Sequence, residues 1–337
     1  MIMRSRILPA LFSLSLFWIS PTIPYALAGD HPAAASDPAG YLSRFSTDRL
    51  MADVRWLSRR ELKGRGFGTP ELDAAADYIE KQFRSAGLLP GGDREESYFQ
   101  TWTASGGEPE TEATLKNVVG VIPGANPKWR GQSVVVGAHY DHLGLGWPDG
   151  DEGRVHPGAD DNASGVAVLL ELARVMKQGP PPERTVVFVA FTSEEYELLG
   201  SRHYLSAQKR YPADRILAMI DLDSVGRLAK RPLQVIGTES AAEWTGIFRE
   251  AELKTGVPLQ WVKADPGESD EDSFLAVGIP AVQLYSGRNG DYHRPTDTVR
   301  KIKPAGMVKV ASVAQAVIEH LARRPRSLTS TVGFRKP

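Results

Sequence analysis

Cysteine is absent from all 337 residues. Its absence excludes disulfides, thiolate metal ligands and a lipid attached at a cleavage-site cysteine, so the fold stands on its core alone. Charge of either sign is not in excess. Lys and Arg number 40 against 41 Asp and Glu, a formal net charge of −1, and nothing in the overall field draws in nucleic acid or an anionic membrane. Two common hydrolase signatures are missing as well. No Gly-x-Ser-x-Gly elbow offers a serine nucleophile, and no His-Glu-x-x-His helix offers the usual single-zinc arrangement. There is no internal repeat and no second domain boundary.

The N-terminal apolar run, residues 7–19, is shorter than the roughly 20 residues needed to span a bilayer. It follows Arg4 and Arg6 and precedes Ala26-Leu27-Ala28, the order of a secretory signal peptide cleaved after Ala28. The expectation is export to the periplasm or the medium, with no membrane attachment afterwards. Residues 29–46, rich in Ala, Pro, Asp and Gly without periodicity, read as a flexible lead-in. One domain is expected over residues 47–323, large enough to bury most of its apolar surface, with a disordered tail over 324–337.

What the sequence does contain is alternation. Helical spacing of apolar residues marks 48–58 and 72–86, the second as Leu72, Ala75, Ala76, Tyr78, Ile79 and Phe83. Beyond Gly92, short runs rich in Val and Ile occur at 118–122, 134–137, 186–191, 216–222, 233–236 and 281–285. Helix-like stretches at 164–177, 200–208, 241–255 and 272–277 lie between them, and an amphipathic helix with Pro in its first turn and Arg in its last closes the domain at 304–323. Near-continuous apolar strands alternating with helices predict an α/β sandwich whose mostly parallel sheet is buried on both faces.

In such sheets functional groups gather beyond the carboxyl ends of the strands. The run at Val134 ends in Gly137-Ala138-His139-Tyr140-Asp141-His142, and that at Val186 in Thr192-Ser193-Glu194-Glu195. The run at Ile216 ends in Asp221-Leu222-Asp223, and that at Ala281 leads through a Gly-containing loop to Asp291-Tyr292-His293. Gly158-Ala159-Asp160-Asp161-Asn162 precedes a helix start. Singly, each has an ordinary explanation: a hydrogen-bonded histidine, a solvated turn, an N-cap. Jointly they form a nitrogen and oxygen donor set without sulfur, which suits zinc and could accept cobalt or manganese.

The blocks GAHYDHLG, GADDNASGVA, FTSEEYELLGS, IDLDSVGR and DYHRPTDT resemble the signature blocks of the co-catalytic zinc aminopeptidases of the bacterial leucyl aminopeptidase type, relatives of glutamate carboxypeptidases and glutaminyl cyclases. The resemblance runs in the family's order from about Gly64 to the last helix. It implies a three-layer sandwich with a mixed, mostly parallel central sheet flanked by helices, the zinc-peptidase (phosphorylase/hydrolase-like) architecture. It implies two Zn2+ per chain, with His139 and Asp223 on one ion, Glu195 and His293 on the other, and Asp160 bridging. It further implies Glu194 as general base, a bridging water or hydroxide as nucleophile, Asp141 behind His139, and Tyr292 near the reacting carbonyl. Asp221, two residues before a ligand, reads equally as an outer carboxylate of the site and as a structural residue, and Asp161 and Asp297 read as loop and cap formers. His142 is expected near the site as a hydrogen-bonded or solvent-facing residue and not as a ligand.

The chemistry implied is exopeptidase cleavage at the amino end of a peptide substrate. Carboxypeptidase or other amide hydrolysis is the alternative, followed by glutaminyl cyclase and by a binding module that has lost its chemistry. The last conflicts with a complete set of ligands and base. Two positions depart from the family pattern. Glu271 and Asn289 stand where relatives commonly carry His, which bears on substrate preference and not on the metal ligands. Side-chain preference and oligomeric state are not encoded in any pattern recognised in the sequence.

Overall fold

A computed structural model describes residues 38–107, 110–146, 153–263 and 269–332. The expected signal peptide lies outside the described residues. The helices are α1 (Pro38–Leu42), α2 (Thr47–Leu57), α3 (Pro70–Ser85), α4 (Ala163–Gln178), α5 (Leu199–Ala207), α6 (Trp244–Thr255), α7 (Glu271–Ala276) and α8 (Pro304–Arg323). The strands are β1 (Leu89–Pro90), β2 (Phe99–Gly106), β3 (Thr111–Ile122), β4 (Ser133–His139), β5 (Thr185–Phe191), β6 (Ile216–Leu222), β7 (Leu233–Ile236), β8 (Leu259–Val262) and β9 (Ala281–Tyr285).

Helix boundaries follow local chemistry. The Thr69 hydroxyl accepts the amide of Leu72 at the start of α3, Pro70 occupies the first turn, and Leu72, Ala75, Ala76, Ile79 and Phe83 form the buried stripe. At α4 the cap is Asn162, whose Oδ1 accepts the amide of Gly165 at 2.9 Å while its Nδ2 donates to the Leu222 carbonyl at 2.8 Å. A cap thereby ties the start of α4 to the end of β6. Gly165 is required at that join, because a Cβ there would sit 2.1 Å from the Leu222 carbonyl oxygen.

The strands form one mixed sheet in the order β1-β3-β5-β4-β6-β9-β7-β8, with β2 antiparallel to β3. Its centre, β5-β4-β6-β9, is parallel throughout. Side chains alternate between two dry faces. Val134, Val136 and Ala138 pack with helices α2, α3, α4, α6 and α8, whereas Val135, Val187, Val189 and Met219 pack with Tyr204 of α5 and Phe274 of α7. The sandwich expected from alternation is therefore present, and its parallel centre brings four carboxyl strand ends to one rim.

Three expectations need correction. The lead-in contains α1, and Phe45 is buried against the core. The tail is not loose over residues 324–332: Leu328 is buried, Ser330 bridges Ala241, and the Thr329 amide donates to the Glu243 carboxylate at 2.9 Å. The strands β1, β2 and β8 went unrecognised in the sequence.

Candidate metal centre

His139 ends β4 level with Phe191 of β5, and is 1 % exposed. Its Nε2 lies 3.3 Å from Asp161 Oδ1, 3.5 Å from Asp223 Oδ1 and 3.9 Å from Glu194 Oε2. The other oxygen of Asp161, Oδ2, lies 3.1 Å from Nε2 of His293, which in turn is 3.3 Å from Glu195 Oε2. Two sets of donor atoms result, each gathered within 4.8 Å: His139, Asp161 and Glu195, and His139, Glu194 and Asp223. Residues from five separated segments converge here. Backbone geometry is unusual around them, with positive φ at Ser193 (54°), Ser224 (49°) and His293 (55°). Non-glycine residues adopt this region at a cost of order 1–3 kcal/mol, and such costs concentrate at functional sites.

Asp160, expected to bridge, does not join the cluster. Its Oδ1 accepts the Gly226 amide at 2.7 Å, its Oδ2 accepts Asn289 Nδ2 at 2.9 Å, and Arg227 Nε is 3.7 Å away. It is Asp161, one residue later and immediately before the N-cap, whose carboxylate reaches between the two histidines. Asp297 holds this loop, accepting the amides of Asp160 and Asp161 on Oδ2 and donation from Arg227 on Oδ1. The Asn289 that departs from the family pattern is thus a partner of Asp160.

Asp141 is also placed differently from the expectation. At 3.7 Å from His139 Nδ1 it is beyond a formed hydrogen bond, and its oxygens accept the amides of Glu194 and Glu195 at 3.1 and 3.3 Å. It orients the Glu-Glu turn. Asp223 is steadied by Ser224 Oγ on one oxygen and by Gln283 Nε2 on the other. Tyr292, 37 % exposed, stacks on the His293 ring with centroids 3.9 Å apart at the edge of the site. Burial first, then Asp161 and Asp223, push its phenol up, so the hydroxyl stays a donor.

Behind the cluster lies Arg65, fully buried, with no carboxylate among the described residues paired to its guanidinium. It donates to the carbonyls of Tyr140, Leu57, Pro157 and Gly158 at 2.7, 2.6, 2.9 and 3.2 Å. One side chain thereby fastens the loop after β4 to the loop that carries Asp161.

The electrostatics are dominated by negative charge. Burial, then Glu195, Asp223 and Asp270, push Glu194 well above the usual carboxylate range against the opposing pull of His139. Burial opposes charge on Asp161, yet His142, His139 and His293 hold its carboxyl well below that range. His293 is pushed up to about 9, burial notwithstanding, by Asp161 and Glu195. Asp221, pushed up to about 7 by burial and Asp223, faces the field of two more buried acids, Asp270 and Glu271, both raised well above normal by burial and then by Asp221 itself. A cluster this acidic, with imidazoles interspersed and no sulfur, fits divalent zinc. Asp270, next to the Glu271 that departs from the family pattern, is a neighbour of the site to which no reading of the sequence assigned a role, and the contact His142 makes with Glu195 was equally hidden.

The model of peptidase family M28 matches residues 117–318, which contain every member of the cluster. The chain belongs to peptidase family M28. It is 28 % identical over 233 residues to aminopeptidase YwaD of Bacillus subtilis (strain 168), covering 65 % of this chain and 48 % of that protein. It is 25 % identical over 281 residues to leupeptin-inactivating enzyme 1 of Streptomyces exfoliatus, covering 83 % and 57 %. The chain thus spans about half the length of these curated relatives. Among solved structures, an aminopeptidase from Aneurinibacillus sp. strain AM-1 superposes with a TM-score of 0.68 at 20 % identity, over 89 % of this chain and 98 % of that one. A glutaminyl cyclase of Porphyromonas gingivalis gives 0.65 at 20 % identity, over 82 % and 99 %. The fold is shared by both chemistries.

Proposed function

We propose that this chain is an exported, metal-dependent exopeptidase that removes residues from the amino end of peptides at a dinuclear zinc site. The observation that carries the reading is Asp161, whose two oxygens face Nε2 of His139 and of His293 at 3.3 and 3.1 Å. A carboxylate presented to two separate imidazoles is what a pair of neighbouring cations needs to be held together. His139, Asp161 and Asp223 would hold one ion, and Asp161, Glu195 and His293 the other. When bound, zinc supplies Lewis acidity toward the scissile carbonyl and makes water acidic enough to attack near neutral pH.

The remaining steps belong to the protein. Glu194 is within 3.9 Å of His139 and raised by burial and neighbouring carboxylates, so it suits a base that takes the proton of the attacking water and passes it to the departing amine. Asp141 fixes that base by accepting the amides of the Glu194-Glu195 turn. Tyr292, held protonated, is a hydroxyl donor for the oxyanion that develops on the carbonyl. Asp221 lies behind Asp223 as part of the buried acidic wall.

The test compares one peptide with a free and with an acetylated amino terminus, using zinc-loaded mature protein and a chelator control. Cleavage of the free peptide only, abolished by chelation and restored by zinc, is expected. Equal cleavage of both would overturn the aminopeptidase reading in favour of another amide hydrolysis, and undiminished cleavage after complete demetallation would overturn the metal centre. Cyclisation of an N-terminal glutamine without hydrolysis would assign the fold's other chemistry.

A further inference from the structure

The geometry points to His142 as a positioning residue that sets the carboxylate of Glu195 for metal binding, an inference that rests on the dinuclear reading above. His142 Nδ1 lies 2.7 Å from Glu195 Oε1. An ionised carboxylate has no proton to give, so at this distance Nδ1 must carry the hydrogen and donate it. One oxygen of Glu195 is thereby occupied. The other, Oε2, is the one that faces His293 Nε2 at 3.3 Å. The bond divides the carboxylate into a held oxygen and a presented one.

The ring that makes this bond is itself fixed on several sides. It is fully buried, and stands edge-to-face with His293 at 5.8 Å between centroids. On another side it abuts Gly158, where a Cβ would come within 2.6 Å of Cδ2 and 2.7 Å of Cγ. Gly158 has φ +55°, so both space and backbone conformation call for glycine there. The His142 amide donates to the Arg65 carbonyl at 3.2 Å, and Arg65 in turn donates to the Gly158 carbonyl. Ring and Asp161 loop are therefore referenced to the same arginine. A histidine that only filled space would not need its Nδ1 directed at an acid that already faces a second imidazole.

The test uses the isosteric pair His142→Asn and His142→Gln with His142→Ala, in the full mature chain. The amide nitrogen of Asn falls near the position of Nδ1, whereas that of Gln falls near Nε2. Zinc affinity is read by equilibrium competition with a chromophoric chelator, after circular dichroism has established folding. H142N should stay within about threefold of wild type, while H142Q and H142A should lose about 10- to 100-fold in affinity, the range seen when a partner of a metal ligand is removed. Should H142A fail to fold, the Asn and Gln pair decides. Equal losses in both, or no loss in either, would overturn the inference. Glu195→Gln separates the two layers of reasoning: if E195Q binds zinc as wild type does, the ligand assignment fails and the positioning role falls with it, whereas loss of zinc in E195Q with H142Q and H142N both unchanged overturns the positioning role alone.

Discussion

Replacing Asp161 and Asp160 in turn discriminates between two adjacent, chemically identical residues. Two dications about 3.5–4 Å apart at an effective dielectric of 20 repel by roughly 18 kcal/mol. A carboxylate touching both is the protein's direct means of offsetting this. Asp161→Asn keeps the side-chain volume and removes the charge. Its effect should exceed the 10- to 100-fold typical of an outer partner, so the second zinc should bind at least about 100-fold more weakly and kcat/KM should fall at least about 1,000-fold, near 4 kcal/mol. Asp160→Asn meets a different environment, since its oxygens accept from the Gly226 amide and Asn289 Nδ2. The new amide nitrogen would confront a donor, costing about 1–3 kcal/mol of stability and several degrees of Tm, with two zinc ions retained and activity within about tenfold.

Metal content by atomic absorption, turnover of leucine 4-nitroanilide and a thermal melt suffice to separate these outcomes. If D160N sheds zinc while D161N keeps both ions, the geometric assignment is wrong and the bridging position reverts to Asp160.

Other outcomes follow from the same geometry. Glu194→Gln should retain zinc and lose about 100- to 10,000-fold in kcat, and a matching loss of metal would make Glu194 a ligand instead of a base. Gly158→Ala must place a Cβ 2.2 Å from the Asp161 carbonyl oxygen at φ +55°; a Tm lowered by several degrees together with weakened zinc binding is expected, and an unchanged melt would contradict the steric role given to this turn. Below pH 9 the metal-free site holds a proton on His293, pushed up to about 9 against burial by Asp161 and Glu195, and this proton must leave before Nε2 can bind zinc. Because His139 is also raised well above the usual imidazole range, against burial and chiefly by Glu194, apparent zinc affinity should rise by at least about tenfold per pH unit through neutrality; calorimetry in buffers of different ionisation enthalpy would refute this by finding no proton release.

Much of the fold was legible because both faces of the central strands are dry. Val134 to His139 and Val186 to Phe191 are buried at every position, so they stand out as apolar runs. The strand β2 is different: it alternates half-exposed and exposed residues along Phe-Gln-Thr-Trp-Thr-Ala-Ser-Gly, apart from the buried Gln100, and owes its existence to eight antiparallel pairings with β3. A strand made by its neighbour leaves little trace in its own composition. The same holds for β8, a short edge strand with no buried residue. Within the site, strand ends located His139, Glu195, Asp223 and His293, whereas the choice between Asp160 and Asp161 depended on side-chain direction around an N-cap. Neither composition nor spacing encodes that direction. The contact between His142 and Glu195 likewise joins residues 53 positions apart.

The accumulated buried charge gives the site its chemical sense. Asp161, Asp221, Asp270 and Glu271 are almost fully enclosed, and the side chains of Glu194 and Glu195 are only 11 % and 4 % exposed. Against them stand three imidazoles and Arg65, whose donors are spent on backbone carbonyls. Enclosing so many carboxylates without compensation is costly, and protonation is the metal-free remedy, as the raised Glu194, Asp270 and Glu271 indicate. Divalent cations supply the alternative remedy by replacing those protons with fixed positive charge. On the proposed reading, acids behind the ligands would then add negative potential that strengthens cation binding, while Glu194, at 11 % exposure against 4 % for Glu195, would remain free to exchange its proton. By the same reading, a site walled by acids would disfavour anionic groups near the ions and favour the cationic amino end of a peptide, so the buried acids and the proposed exopeptidase polarity would share one electrostatic cause.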